Sequence, residues 1–192
     1  AKVINAIDSK LELRGRDSLG LSIVINTESE VDNNLFEKIK LEKPQVEYNY
    51  KKNSKLNIYS VVFKTCGSIG SLGDNTSSIK SLIKQNLFIK QIIKTGTIDS
   101  ASIIAHTRWA SVGKINLENT HPINYTYTNY GKHNFMQASL NGDIYNYKEI
   151  IEKAKNNKNL FKDEKLFTTD CLSIPVYLSE KKDLKLSSIK DS

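Results

Sequence analysis

The sequence contains few of the residues that mark several common protein classes. Its 192 residues include only two cysteines, Cys66 and Cys171, and three histidines. Neither cysteine belongs to a Cys-x-x-Cys pair, so the pattern indicates neither a disulfide framework nor a zinc site with about four ligands. These counts predict no metal ion and no cofactor, and a reducing, cytoplasmic setting is the simplest interpretation.

Long apolar runs and a leader segment are also missing from the sequence. No apolar stretch approaches the roughly 20 residues that span a bilayer, so we expect no membrane contact. Residues 1–5 lack the basic and apolar regions of a signal peptide, and the first residue, Ala1, is not a methionine. We therefore expect the chain to begin after processing or inside a longer protein.

Positive charge is plentiful, but arginine is scarce. The formal net charge is +7, and only Arg14, Arg16 and Arg108 among the 28 basic residues are arginines. The lysines are spread along the chain without interleaved aromatic residues, so we expect no nucleic-acid partner. Lysine does not replace arginine where a planar fork grips a carboxylate or backbone carbonyls. The three arginines and the only tryptophan, Trp109, are therefore the first candidates for a site.

The periodicity of apolar residues predicts an α+β fold. Strands are predicted at residues 19–25, 56–63, 102–107 and 135–140. Helices are predicted at residues 1–13, 33–41, 75–94 and 145–155, and a last helix follows a cap at residues 168–170, where Pro175 should kink or delay it. Paired strands with helices outside them favour sheets covered by helices within one domain.

Two features of the sequence offer a site but have equally simple structural explanations. The glycine-rich residues 66–73 precede a predicted helix, as phosphate loops do, but lack the Gly-Lys-Ser/Thr ending of that motif. A structural loop is therefore favoured. Cys66 or Cys171 would suit a thiol nucleophile with His106 as its base. The alternative is that both thiols pack as small apolar groups.

Residues 105–113 place an arginine, a tryptophan and a hydroxyl beyond a predicted strand. Arg108 offers a bidentate grip on a carboxylate, and Ser111 offers a further donor beside Trp109. This set suits recognition of the α-carboxylate of an amino acid. The alternative is an arginine that forms a surface ion pair at the end of a strand.

Two polar features lie further along the chain. Asn141-Gly142 follows a predicted strand, and an Asn amide beside a Gly N–H can form an oxyanion hole. The same dipeptide is also a common turn. Asp170 suits the ammonium group of an amino acid, but an aspartate at this place is alternatively a helix cap.

Together these segments resemble the class II glutamine amidotransferases, most closely the glutamine–fructose-6-phosphate transaminases. Residues 13–20 (LRGRDSLG) resemble "YRGYDSAG" of those transaminases, and residues 106–113 (HTRWASVG) resemble their "HTRWATHG". His121-Pro122 is similar to their "AHPH". Residues 140–147 (LNGDIYNY) are similar to "HNGIIENY" and also to the asparagine synthetases. Thr169-Asp170 resembles "TDTE". The motifs follow one another in the family's order.

The resemblance implies the αββα sandwich of the N-terminal-nucleophile hydrolases, here incomplete at both ends, and hydrolysis of glutamine by an N-terminal cysteine. It also implies roles for individual residues: Arg108 binds the glutamine carboxylate, Trp109 and Ser111 line its pocket, Asp170 and Gly142 bind the amino end, Asn141 and Gly142 form the oxyanion hole, and Arg14 and His106 support the site. The expected partners are glutamine, an ammonia-accepting sugar-phosphate domain in the same full-length chain, and further copies in a homo-oligomer.

The sequence also departs from the family pattern. The nucleophilic cysteine of the family would stand upstream of Ala1, so we expect residues 1–192 to be a partial domain that is inactive alone. Ser111 and Val112 replace a Thr and a His of the family motif. The stretch between Arg14 and Arg108 is longer than usual, which predicts an insertion within about residues 27–100.

Three alternatives remain open at this point. The chain is an enzyme fragment, or it is a module that binds glutamine without hydrolysing it. As a third alternative it belongs to an amidotransferase of another pathway, such as a phosphoribosyl-diphosphate amidotransferase or an asparagine synthetase.

Overall fold

A computed structural model describes most of the chain between residues 15 and 181. The described residues are 15–28, 30–31, 39, 43–53, 55–67, 73–95, 97–109, 113–129, 132–155 and 168–181. The predicted helix at residues 1–13, most of the one at 33–41, and the candidate residues Arg14 and Ser111 lie outside them. The elements are β1 (Ser18–Thr27), β2 (Val46–Lys52), β3 (Asn57–Cys66), α1 (Asp74–Gln85), α2 (Leu87–Thr95), β4 (Ile98–Arg108), β5 (Ile123–Asn129), β6 (Lys132–Ala138), α3 (Tyr147–Lys155), a 3₁₀ turn (Asp170–Leu172) and α4 (Ser173–Ser179).

The strands form two separate antiparallel sheets. The first sheet has four strands in the order β2-β3-β1-β4, and the second is the two-stranded pair β5-β6. In the first sheet Ser18 of β1 lies opposite Arg108 of β4, and Gly20 lies opposite His106. This register brings the segment 15–20 against the segment 106–108, which are two of the motifs that carry the family resemblance.

Side chains on the two faces of the first sheet differ sharply in polarity, because successive residues of a strand point to opposite faces. Leu19, Leu21 and Ile25 of β1 belong to an apolar core with Ile79 of α1 and Phe88 of α2. The opposite face carries Ser22, which is bonded to Gln137 of the second sheet. The sheet therefore lies between helices on one side and a second sheet on the other.

A second apolar core covers the outer face of the second sheet. Ile123 of β5 and Ala138 of β6 are buried with Ala154 of α3 and Val176 of α4. The layers of the described molecule thus follow the order helix, sheet, sheet, helix. The mixture of helices and antiparallel sheets confirms the α+β prediction.

Several predicted elements need correction. The sequence-based prediction missed β2 and β5, and the helix predicted over residues 75–94 is two helices, α1 and α2, separated at Asn86. The Oδ1 atom of Asn86 accepts a bond from the Ile89 N–H at 2.9 Å, which caps α2, and its Nδ2 donates to the Tyr48 hydroxyl at 2.6 Å. A side chain that caps a new helix there ends the first one. The last helix begins late, because a 3₁₀ turn capped by Thr169 precedes α4, and Pro175 lies in the first turn of α4.

The region predicted to contain an insertion is integral to the first core. It supplies β2, β3, α1 and α2, and therefore two of the four strands of the first sheet. Its origin as an insertion stays a prediction. Among the described helices, none is long and apolar enough to cross a membrane.

Candidate functional site

Three segments that are distant in the sequence converge near the end of β4. Residues 138–144 lead out of β6, residues 168–171 lead into α4, and Arg108 ends β4. The Ile144 N–H donates to Asp170 Oδ2 at 2.9 Å, and the Cys171 thiol donates to the Ala138 carbonyl at 3.6 Å. The negative charge of Asp170 acts on Arg108. Three of the segments that carried the family resemblance therefore meet in one place.

Arg108 is held as a buried cation. Its side chain is 6% exposed, and its Nη1 donates to the Lys114 carbonyl at 3.4 Å. Burial lowers the pKa of Arg108, while the charges of Asp17 and Asp170 act in the opposite direction. A guanidinium remains charged at any ordinary pH. The structure thus places a fixed positive charge at this end of the sheet, within the electrostatic influence of Asp17 and Asp170.

Glycines allow the first motif to lie directly against the second. A Cβ atom on Gly15 would lie 2.8 Å from the backbone nitrogen of Arg108, and the Asp17 N–H donates to the Arg108 carbonyl at 3.1 Å. A Cβ atom on Gly20 would overlap the carbonyl oxygen of His121. The close approach explains why these two positions hold glycine.

Asn119 links the loop after Arg108 to the segment that enters α4. Its Nδ2 donates to Thr168 Oγ1 at 2.8 Å and to the Lys114 carbonyl at 2.9 Å, and its Oδ1 accepts from the Thr168 N–H at 2.8 Å. Gly113, at φ +86°, packs against Thr168 in the same place. The sequence-based prediction missed Asn119, because neither its spacing nor its neighbours distinguish it from a surface asparagine.

The half-buried His106 and the buried His121 form a pair next to this loop. Their ring centroids are 4.8 Å apart, and the Leu140 N–H donates to His121 Nδ1 at 3.5 Å. Burial lowers the pKa of both rings, that of His121 to about 4. His106 Nδ1 and His121 Nε2 have no hydrogen-bond partner among the described residues. Both imidazoles are therefore neutral near pH 7.

The remaining predicted site residues lie at different depths. Trp109 is 74% exposed, and Asn141 and Gly142 are also exposed, whereas Asp170 is 6% exposed. Gly142 has φ +149°, and a Cβ atom there would meet nothing within 4 Å. The loop with Asn141 and Gly142 thus faces outward, above the Asp170 carboxylate that Ile144 binds.

The two thiols do not have the properties of a nucleophile. Cys171 is fully buried, and burial raises its pKa to about 12. Burial also raises the pKa of Cys66, with a smaller contribution from Glu118. Since the thiolate is the reactive form, these environments favour the interpretation that both thiols pack as small apolar groups. The centre of the glycine-rich segment, residues 68–72, lies outside the described residues.

In the part of the chain that the structure describes, no cluster of three or more His, Cys, Asp or Glu residues could hold a metal ion. The site is therefore built from one buried arginine, one buried aspartate, a neutral histidine pair and an exposed Asn-Gly loop.

Comparison with known proteins gave one family. The family model of the class II glutamine amidotransferases matches residues 71–158. This range contains Arg108, His121 and the Asn141-Gly142 loop, and it ends before Asp170. Neither the curated proteins nor the solved structures gave a match. The chain is therefore similar to the class II glutamine amidotransferases over a little less than half of its length.

Proposed function

We propose that the chain is the glutamine-hydrolysing domain of an enzyme of the glutamine–fructose-6-phosphate transaminase type. In this proposal it folds as an N-terminal-nucleophile hydrolase sandwich and delivers ammonia to a sugar-phosphate domain of the same full-length protein in the cytoplasm. The full-length protein is proposed to form a homo-oligomer. The order of layers, helix, sheet, sheet and helix, supports the sandwich.

The convergence of Arg108 and Asp170 is the observation that carries the proposal. The two residues have opposite charges and are each 6% exposed, and the charge of Asp170 acts on Arg108 although the two lie 62 positions apart in the sequence. An α-amino acid carries a carboxylate and an ammonium group at a fixed short separation. A guanidinium and a carboxylate at one end of the sheet match these two charges, the first by bidentate hydrogen bonds.

The loop next to Asp170 supplies the second part of the chemistry. Asn141 and Gly142 offer an amide N–H₂ and a backbone N–H at the surface, close to the Ile144 N–H that Asp170 binds. Two donors directed at one carbonyl oxygen would stabilise the charge that develops when a thiol attacks the glutamine amide. Trp109 and Ser111 would line the same pocket, and Arg14 and the neutral His106 would support it.

The nucleophile is proposed to be an N-terminal cysteine whose own α-amino group takes the thiol proton. The raised pKa values of Cys66 and Cys171 argue against either as a substitute. Whether a cysteine precedes Ala1 in the gene therefore distinguishes an enzyme from a module that only binds glutamine.

Replacing Arg108 with lysine tests the proposal. In the full-length protein, Arg108→Lys should raise the KM for glutamine and the Kd measured by calorimetry about tenfold or more, a loss of at least about 1.4 kcal/mol, because a point charge cannot make two parallel hydrogen bonds. Arg16→Lys is the matched control, since Arg16 is exposed, and it should leave both constants unchanged. Equal constants for wild type and Arg108→Lys would show that Arg108 does not bind the substrate.

A glutamine-binding module without hydrolysis is the second candidate. Val112 in place of the family's histidine and the raised pKa values of the Cys66 and Cys171 thiols favour it. Saturable binding of glutamine to the full-length protein without release of glutamate would support this candidate. If glutamate is released, assays with a sugar phosphate, phosphoribosyl diphosphate or aspartate as acceptor would distinguish the amidotransferase pathways.

A further inference from the structure

The two sheets meet across polar side chains, while both apolar cores lie on their outer faces. Asn124 of β5 bonds Asn49 and Glu47 of β2 at 2.8 and 2.7 Å, and Glu47 pairs at 2.6 Å with Lys64 of β3, whose side chain is 1% exposed. We call these inner-face residues the polar seam; its members are Ser22, Glu47, Asn49, Ser60, Lys64, Asn124 and Gln137. Hydrogen bonds between particular atoms fix relative position more strictly than apolar contact does.

Gln137 of β6 bonds two strands of the first sheet at once. Its Oε1 accepts from the Ser22 hydroxyl of β1 at 2.6 Å, and its Nε2 donates to the Ser60 hydroxyl of β3 at 2.5 Å. Both serines are fully buried. One side chain thereby connects the end of β6 in the second sheet to the two central strands of the first sheet.

The position of Gln137 along β6 determines which parts of the site its hydrogen bonds to Ser22 and Ser60 connect. The strand ends at Ala138, and Asn141 and Gly142 follow directly. On the other side of the seam, the strand that carries Ser22 begins at Ser18, which lies opposite Arg108 in the sheet register. Gln137 therefore stands between the loop that holds the Asn-Gly donors and the strand pair that holds the arginine.

We propose that Gln137 is a positioning residue that fixes the Asn141-Gly142 loop relative to Arg108. The inference rests on the proposed function, because it assigns the loop to the reacting amide and Arg108 to the carboxylate of the same glutamine. Gln137 acts through β6 and does not touch the substrate. Displacement of catalytic donors by about 1 Å can cost about 10²-fold in rate, so a tie at this point controls turnover.

Hydrogen exchange tests the positioning without any need for activity. In full-length Gln137→Met, amide exchange of residues 138–144 should accelerate about tenfold, while exchange of residues 103–108 stays as in the wild type. Methionine matches the unbranched shape of glutamine but makes no hydrogen bonds of comparable strength. Asn134→Ala is the matched control, because Asn134 forms the exposed inter-sheet bond to Lys51 at the far end of β6. Unchanged exchange in residues 138–144, or equal acceleration in both segments, would overturn the proposal.

A triple variant separates positioning from simple stability. Ser22→Ala/Ser60→Ala/Gln137→Met removes both serine hydroxyls that the single variant leaves buried without their partner, and removal of both sides of a hydrogen bond is often nearly neutral for stability. We expect the melting temperature to recover toward the wild type while residues 138–144 still exchange fast. Recovery of both quantities would reduce Gln137 to a structural role and contradict the proposal.

Kinetic measurements test whether the hydrogen bonds of Gln137 affect catalysis. Gln137→Met should lower kcat for glutamine hydrolysis about tenfold and change KM less than about threefold, and it should cost nothing further once Asn141→Ala has removed the donor that it positions. If Arg108→Lys and Asn141→Ala both impair the enzyme but Gln137→Met has wild-type kcat, the positioning role is wrong and the proposed function stands. If the wild type releases no glutamate, the proposed hydrolysis fails, and the exchange experiment still decides what Gln137 holds.

Discussion

The candidate site contains residues that are conspicuous by type and motif, and residues whose role depends on neighbours that are distant in the sequence. Only the first group could be predicted from the sequence. Arg108 and Asp170 are conspicuous by type and motif, and the structure brings them together as buried opposite charges. Gly20 and Asn119 are equally specific in the fold, since one permits contact with His121 and the other links Lys114 to Thr168. Their roles depend on neighbours that are distant in the sequence, which local patterns do not contain.

Gly20→Ala should destabilise the domain by about 3 kcal/mol, at the upper end of the usual cost of overpacking, because the added methyl group meets the rigid backbone of His121. Urea unfolding of the full-length protein would measure this loss. Gly67→Ala is the control, since a Cβ atom at Gly67 meets nothing within 4 Å. Equal unfolding free energies for the two variants would show that β1 can move away from His121.

At the scale of elements, the missed strands have a common cause. In β2, Val46, Tyr48 and Tyr50 alternate with polar residues, and β5 has the same period of two. The alternation is the pattern of a strand with one buried face, and it was available in the sequence. The polar residues of these strands, among them Asn49 and Asn124, suggest a loop, because their partners lie across the polar seam and are distant in the sequence.

The break between α1 and α2 has the opposite origin, because apolar residues continue across it with helical spacing. Asn86 ends the first helix, caps the second and bonds the Tyr48 hydroxyl while only 7% exposed. A capping asparagine at one position inside an apolar pattern is hard to distinguish from an ordinary helical residue, so the sequence predicted one helix.

Asn86→Ala should therefore cost about 2 kcal/mol of unfolding free energy, since it removes a helix cap and leaves a buried hydroxyl with one partner fewer. Gln85→Ala, one residue earlier, is the control: its bonds to Ser81 and Lys43 are exposed, and surface changes usually stay within about 0.5 kcal/mol. Asn86→Asp, which keeps the capping oxygen but loses the donor to Tyr48, should fall between them. A loss for Asn86→Ala no larger than that of Gln85→Ala would mean that the break does not depend on this side chain.

At the scale of the whole molecule, the sequence predicted the class of fold but not how the layers meet. Apolar alternation in β1 and β3 and the apolar faces of the helices predict covered sheets, which the structure has. Which faces of the sheets meet each other depends on the pairing of Ser22 and Ser60 with Gln137, which brings together residues more than 70 positions apart. The histidine pair arises in the same way, because β4 and the loop that precedes β5 meet only in the assembled fold.

The histidine pair makes the stability of the molecule depend on pH. The pKa of His121 is lowered by burial to about 4, and that of an unfolded histidine is about 6.5, so the unfolded chain binds the proton more strongly. Stability is therefore complete above about pH 6.5 and decreases as the pH falls toward 4. Between pH 7.5 and pH 5, His121 alone should account for a loss of about 2 kcal/mol of unfolding free energy.

Urea titrations at the two pH values measure this loss. His121→Asn, which retains an acceptor for the Leu140 N–H, should reduce the loss by about that amount. His133→Asn, at an exposed position of β6, should leave it unchanged. If wild type and His121→Asn lose the same free energy over this interval, His121 does not remain neutral in the fold.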